Sequence, residues 1–130
     1  MATKILIADD SEKLLSALRI QLEAYGFEVR TCTDSYSALA QAQQFRPDVM
    51  VLDIRMPAGD GFSVRERMSK LPEVRDIPII FVTGERSSDL ELKAAQMGAR
   101  GVIHKPISLS SLLQAIRAAT TGATCGVNED

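Results

Sequence analysis

Asp48-Val49-Met50-Val51-Leu52-Asp53-Ile54-Arg55-Met56-Pro57-Ala58-Gly59-Asp60-Gly61 is the stretch on which the fold reading turns. After its first residue the run Asp48–Leu52 is wholly apolar, which suits a strand covered on both faces. It then meets a carboxylate, Asp53, and breaks into a loop marked by Pro57, Gly59 and Gly61. A buried strand that delivers an acidic residue to a glycine-rich loop is the pattern of a parallel sheet with chemistry at its carboxyl edge.

The same alternation continues on both sides. Upstream, Lys4–Ala8 reads as a buried strand. Ser11–Tyr25 carries Leu14, Leu15, Leu18, Leu22 and Tyr25 at helical spacing, with Gly26 as stop. Phe27–Cys32 alternates apolar and polar residues, as an edge strand does, and Tyr36–Phe45 is a helix with Asp34 or Ser35 as cap. Downstream, a helix runs to about Lys70, Pro78–Val82 is a strand, and Ser88–Met97 is a helix closed by Gly98. Gly101–His104 is a short strand, and Leu109–Thr121 is a helix between Ser108 as cap and Gly122 as stop. Gly122–Asp130 is small and polar and reads as a flexible tail, leaving one domain over residues 1–121.

Five β-α units with apolar central strands predict an α/β fold: a single doubly wound, five-stranded parallel sheet with helices on both faces. Five strands favour the flavodoxin-like order 2-1-3-4-5. Strands 1 and 3 are then neighbours, and ligands bind beyond their carboxyl ends.

The composition narrows the function classes. A formal net charge of −2 argues against direct nucleic-acid binding, which draws on an excess of Lys and Arg. No apolar run approaches the roughly 18 residues of a membrane span. Cys32 and Cys125 lack metal-type spacing and read as free thiols of a reducing cytoplasm.

At the strand ends stand Asp9-Asp10, Asp53, Thr83-Gly84 and Lys105-Pro106. In the proposed sheet these fall on one rim. Two unit charges about 4 Å apart repel by roughly 4 kcal/mol at an effective dielectric of about 20, so three carboxylates in one crevice call for a cation. The donors are oxygens, which suits Mg²⁺, with Mn²⁺ as an alternative, rather than zinc. A carboxylate beside such an ion can attack phosphorus and form an acyl phosphate. Asp53 ends the most apolar strand and is the best candidate. Lys105 supplies a compact charge to phosphoryl oxygens, Thr83 a hydroxyl donor, and Gly84 room. Taken singly, Asp9 or Asp10 could be a helix cap, Thr83 a satisfied hydroxyl, and Lys105 a solvated charge.

Together these motifs resemble the receiver domains of bacterial response regulators. The resemblance rests on Ile-Leu-Ile-Ala-Asp-Asp (5–10), Val-Leu-Asp-Ile-Arg-Met-Pro-Ala-Gly-Asp-Gly (51–61), Ile-Pro-Ile-Ile-Phe-Val-Thr-Gly (77–84) and Gly-Ala-Arg-Gly-Val-Ile-His-Lys-Pro (98–106), and covers about residues 3–121. It implies a signalling switch, not a turnover enzyme, that takes a phosphoryl group on Asp53 from a histidine kinase or histidine phosphotransfer protein. It implies a metal held by Asp9, Asp10, Asp53 and the backbone carbonyl of Arg55. Thr83 and Lys105 are then the groups that sense the phosphoryl group, and the Lys105–Pro106 peptide is cis. The surface of helix 4, strand 5 and helix 5 becomes the readout toward an output protein or effector domain, and a homodimer through it is allowed. Arg55 and Glu85 flank the site and are expected to pair above it and slow hydrolysis.

One position departs from the family pattern. Where receivers usually carry an aromatic residue, three places before the lysine, this chain has Val102. Val cannot make the inward swing of an aromatic ring, so a smaller shift of the loop after strand 4 is expected to serve. His104 is the one histidine, and its place in a strand disfavours a phosphodonor role. Three rivals are weighed. A haloacid-dehalogenase-type hydrolase wants a second Asp where Arg55 stands. A flavin or nucleotide binder would meet repulsion from Asp9 and Asp10. A receiver that works without phosphorylation would not need the full set of acidic, Thr and Lys residues.

Overall fold

The protein is described by a computed structural model covering residues 2–56 and 59–121. The expected tail at 122–130, Cys125 within it, and the Gly122 stop lie outside the described residues.

Among the described residues, five strands and five helices alternate: β1 (Lys4–Ala8), α1 (Glu12–Ala24), β2 (Glu28–Cys32), α2 (Ser35–Phe45), β3 (Val49–Asp53), α3 (Gly61–Ser69), β4 (Ile79–Thr83), α4 (Ser88–Gln96), β5 (Gly101–His104) and α5 (Leu109–Thr120). The strands form one sheet in the order β2-β1-β3-β4-β5, every pairing parallel. This is the doubly wound arrangement expected from the sequence, with the alternating strand β2 at an edge.

Strand periodicity divides the core into two layers. One face of the sheet presents Ile5, Ile7, Val49, Val51, Ile80, Val82 and Ile103 to Leu15, Leu18 and Leu22 of α1 and Leu112 and Ile116 of α5. The opposite face presents Leu6, Met50, Leu52, Phe81 and Val102 to α2, α3 and α4. Phe62 of α3 meets Phe81 edge-on, centroids 4.9 Å apart. Each large aliphatic or aromatic side chain so buried contributes roughly 1.5–3 kcal/mol.

Helix starts follow capping chemistry. Ser11, Asp34, Asp60, Ser87 and Ser108 each accept, through the side chain, a backbone N–H of the first turn. Asp34, not Ser35, caps α2. The end of α2 carries no glycine: Arg46 itself takes the left-handed conformation (φ 51°) before Pro47. Gly26 and Gly98 supply the positive φ that turns the chain after α1 and α4.

Strands β3 and β4 sit one residue later than their apolar runs suggest. Asp48 precedes β3, its carboxylate accepting the Lys4 N–H at 2.8 Å while its own N–H donates to the Lys4 carbonyl at 2.9 Å. Pro78 has no N–H to give, and only its carbonyl joins the ladder, accepting from Met50 at 2.9 Å. The shift brings Asp53 and Thr83 into the sheet as the last residues of their strands.

Cys32 is buried at the end of β2, and burial, aided by the nearby Asp34 charge, pushes its thiol up to about 12. The thiolate is the reactive form. In a Cys125→Ser chain, Cys32 is therefore expected to resist a disulfide reagent at about pH 8 and to react only as denaturant unfolds the protein. A thiol-release time course with and without urea measures this, and prompt labelling of the native protein would refute it.

Candidate functional site

The carboxyl ends of β1, β3, β4 and β5 converge on one pocket. Asp9 follows β1 and is buried. Its Oδ1 accepts the Ser11 N–H at 2.9 Å, an Asx-type turn that turns Oδ2 over to the pocket. Asp10, beside it, is exposed. Neither caps α1, because Ser11 holds that position. Asp53 closes β3 and is buried, with Oδ1 accepting the Arg55 N–H at 3.1 Å. A carboxylate oxygen from each of Asp9, Asp10 and Asp53 lies within 4.8 Å of the others.

Lys105 answers this charge. Its ammonium sits 2.9 Å from Asp9 Oδ2 and 2.9 Å from Asp53 Oδ2, bridging two neighbouring strands from the far side of β4. The chain turns into this position through a cis Lys105–Pro106 peptide. Burial pulls the ammonium toward deprotonation, but its hydrogen bonds to the Asp53 and Asp9 carboxylates outweigh that and hold its pKa above the usual lysine value. Asp53 is raised above the ordinary carboxylate range, first by burial. The Asp9 charge adds to this, and the hydrogen bond from Lys105 offsets only part.

Thr83 is fully buried at the end of β4, and its hydroxyl accepts the Glu85 N–H at 3.0 Å. The hydroxyl is thus turned to its own loop. The Thr83 carbonyl accepts the Lys105 N–H at 2.8 Å, tying β4 to the lysine. At Gly84 a β-carbon would meet no atom within 4 Å, so the space beside the pocket is open. Arg55 and Glu85 do meet: Arg55 Nη2 and Nε reach Glu85 Oε2 at 2.7 and 2.9 Å, both side chains largely exposed. Val102 is buried against the α4 side of the sheet, paired in register with Phe81.

Two contributors escaped sequence reasoning. Gly61 opens α3, and a β-carbon there would lie 2.7 Å from the Asp53 carbonyl oxygen, so only glycine lets α3 start against that backbone. In the sequence its signal is a glycine at a helix start, which a loop reading absorbs. Ser11 stands ahead of α1, and its N–H orients Asp9.

The fold is thus a doubly wound α/β sheet whose switch-point rim gathers three carboxylates, a lysine and a threonine, the class of signalling domain to which receivers belong. The family model for the response regulator receiver domain matches residues 5–117, and the chain belongs to that family, the receivers of two-component systems. Protein PilH of Pseudomonas aeruginosa is 34% identical over 119 residues, 92% of this chain and 98% of PilH. The response regulator PleD of Caulobacter vibrioides is 33% identical over 120 residues, 92% of this chain but 26% of PleD, so the chain spans about a quarter of that relative. Among solved structures, chemotaxis protein CheY4 of Vibrio cholerae superposes with a TM-score of 0.86 at 30% identity, covering 92% of this chain and 99% of CheY4. A CheY-like receiver of Methanospirillum hungatei gives 0.86 at 27%, covering 94% and 96%.

Because Asp53 is held with a raised pKa, its ionised form costs native stability. That group's favourable contribution is complete below the unfolded carboxylate pKa and is lost as pH rises through the higher folded value. Asp53→Asn is therefore expected to be more stable than the native protein at neutral pH, with the difference shrinking as pH falls through the carboxylate range. Urea melts at several pH values test this, and a pH-independent difference would contradict it.

Proposed function

We propose that this chain is a phosphorylation switch in which Asp53 accepts a phosphoryl group, Asp9, Asp10, Asp53 and the Arg55 carbonyl hold Mg²⁺ (Mn²⁺ as a substitute), and residues 1–121 form the working domain. The observation that carries the reading is the shared ammonium: one lysine spans the carboxylates of Asp9 and Asp53 at 2.9 Å each, and leaves three clustered acids under-neutralised. An all-oxygen donor set with surplus negative charge fits a hard divalent cation. When bound, that ion supplies positive charge to the transferring group and to the acids around it.

The donor is a phosphohistidine of a kinase or phosphotransfer protein. An Asp53 carboxylate oxygen attacks phosphorus, the P–N bond breaks, and its electron pair stays on the departing imidazole nitrogen. The product acyl phosphate carries about two negative charges where the carboxylate carried one. Lys105 then exchanges a carboxylate partner for phosphoryl oxygens, as a mobile point charge can. Thr83 gives up the Glu85 N–H and donates its hydroxyl to the phosphoryl group. That movement drags the loop leading into α4 and shifts the population of the α4-β5-α5 surface, which is read by an output protein or effector domain, or by a second copy of the chain. The setting is cytoplasmic, where such kinases keep their donor histidines.

Acetyl phosphate can replace the protein donor. One phosphoryl group per chain is expected with Mg²⁺, none with excess chelator and none in Asp53→Asn, as read by intact mass and peptide mapping. Label on another residue, or label without metal, would overturn the assignment. Sustained release of phosphate from phosphomonoesters would instead favour a hydrolase.

The exposed Arg55–Glu85 pair joins the residues two places beyond Asp53 and Thr83, and on this reading it shields the acyl phosphate from water. An isolated exposed pair is worth at most about 1 kcal/mol in stability, so its value is in shielding. The Arg55→Ala, Glu85→Ala double variant is expected to lose its acyl phosphate several-fold, on the order of 3- to 10-fold, faster, about 1 kcal/mol of barrier. Phosphate-release kinetics decide, and equal lifetimes end the idea.

A further inference from the structure

We propose that His104 and Glu91 form a protonation-sensitive clasp that holds α4 against β5, and that the clasp couples α4 to the state of Asp53; the coupling rests on the phosphoacceptor reading above. Val102 faces the α4 side of the sheet and Ile103 the other, so His104, the last residue of β5, again faces α4. Its side chain is only 10% exposed, and Nε2 lies 3.3 Å from Glu91 Oε2. The geometry is off line for a hydrogen bond, and no other described group satisfies that nitrogen.

The surrounding charges leave Glu91 as its partner. On the strand's own continuation, Lys105 is held by Asp9 and Asp53. From the β4–α4 loop, Glu85 is held by Arg55. On α4, Lys93 lies over the Phe62 ring, 4.7 Å from its centroid, and Asp89 shares the first turn with Glu91. A neutral imidazole leaves the contact half made. A protonated one donates from both nitrogens and turns the contact into a charge-assisted bond.

The clasp has leverage because α4 is thinly anchored. Ala94 is its one buried residue, against Leu15, Leu18 and Leu22 for α1 and five buried residues for α5. From β5, Val102 shares an apolar layer with Ala94. His104 is also one bond from the site: it pairs in register with Thr83 and precedes Lys105, whose N–H donates to the Thr83 carbonyl at 2.8 Å. Linkage is reciprocal: if protonation tightens α4 in the unmodified arrangement, displacing α4 must ease proton loss from His104.

His104 is the chain's single histidine, so its ring signals in proton NMR of tag-free protein report the clasp directly. In the unmodified protein, Glu91→Gln is expected to lower the ring's proton affinity about threefold. Corrected for intrinsic rates, α4 amides of the native protein should exchange about threefold slower near pH 5.5 than near pH 7.5, and this difference should vanish in Glu91→Gln and in His104→Phe. Equal proton affinity in native and Glu91→Gln protein, or α4 exchange indifferent to pH, overturns the clasp. Loading with beryllofluoride and Mg²⁺ is expected to ease proton loss about threefold in the native protein and not in Glu91→Gln. Bound beryllofluoride, seen by fluorine NMR, with an unchanged native ring overturns the coupling. Failure of beryllofluoride to bind would count against the phosphoacceptor reading, while the unmodified-protein comparison still decides the clasp.

Discussion

One ammonium holds the working edge of this protein together. Lys105 reaches past β4 to touch carboxylates that belong to β1 and β3, the two strands between which the winding of the sheet reverses. Parallel strands with opposite crossover directions splay at that point and leave a crevice. Asp9 and Asp53 line it, and Lys105 bridges it. Like charges this close, partly removed from water, repel, and the ammonium offsets that repulsion. The pocket is therefore electrostatically incomplete by construction: one ammonium serves a cluster of three carboxyl groups.

The rest of the molecule divides according to how firmly it is tied to that edge. α1 and α5 clamp one face of the sheet through leucine and isoleucine side chains, and α2 and α3 fill most of the other. α4 stands apart, with Ala94 buried, Leu90 packed at the margin and Leu92 exposed. Its approach runs through the loop that begins at Thr83, and its first turn meets β5 at His104. A helix held by few apolar contacts and reached by two polar ones can change position at small cost. The division between a rigid frame and one movable helix is thus a matter of how much oil each element buries, before any signal arrives.

Much of this was legible in the amino-acid order. The apolar runs at Ile5–Ala8, Val49–Leu52 and Ile79–Val82 announce buried strands by hydrophobicity alone, and parallel winding then places Asp9, Asp10, Asp53, Thr83 and Lys105 on one rim with no further information. The alternation Glu28-Val29-Arg30 marks β2 as an edge, where the sheet has it. What escaped was what depends on atoms from distant segments meeting. Asp48, before β3, exchanges bonds with Lys4, far off in sequence: its carboxylate accepts the Lys4 N–H and its own N–H donates to the Lys4 carbonyl. Arg46 adopts a left-handed turn that its residue type does not advertise. Gly61 reads as an ordinary loop glycine until the Asp53 carbonyl is seen against it. For His104, nothing in a one-dimensional pattern says that Glu91 faces it across β5 and α4.

The contact at Gly61 has a mechanical meaning for the acceptor. With α3 starting hard against the carbonyl of Asp53, and the Ile54 N–H held by the Val82 carbonyl, the main chain beneath this carboxylate is buttressed on two sides. Under the proposed function, an anion added to that side chain would meet a braced backbone. The thrust would then go outward, toward the open space at Gly84, with the first turn of α3 as the anvil.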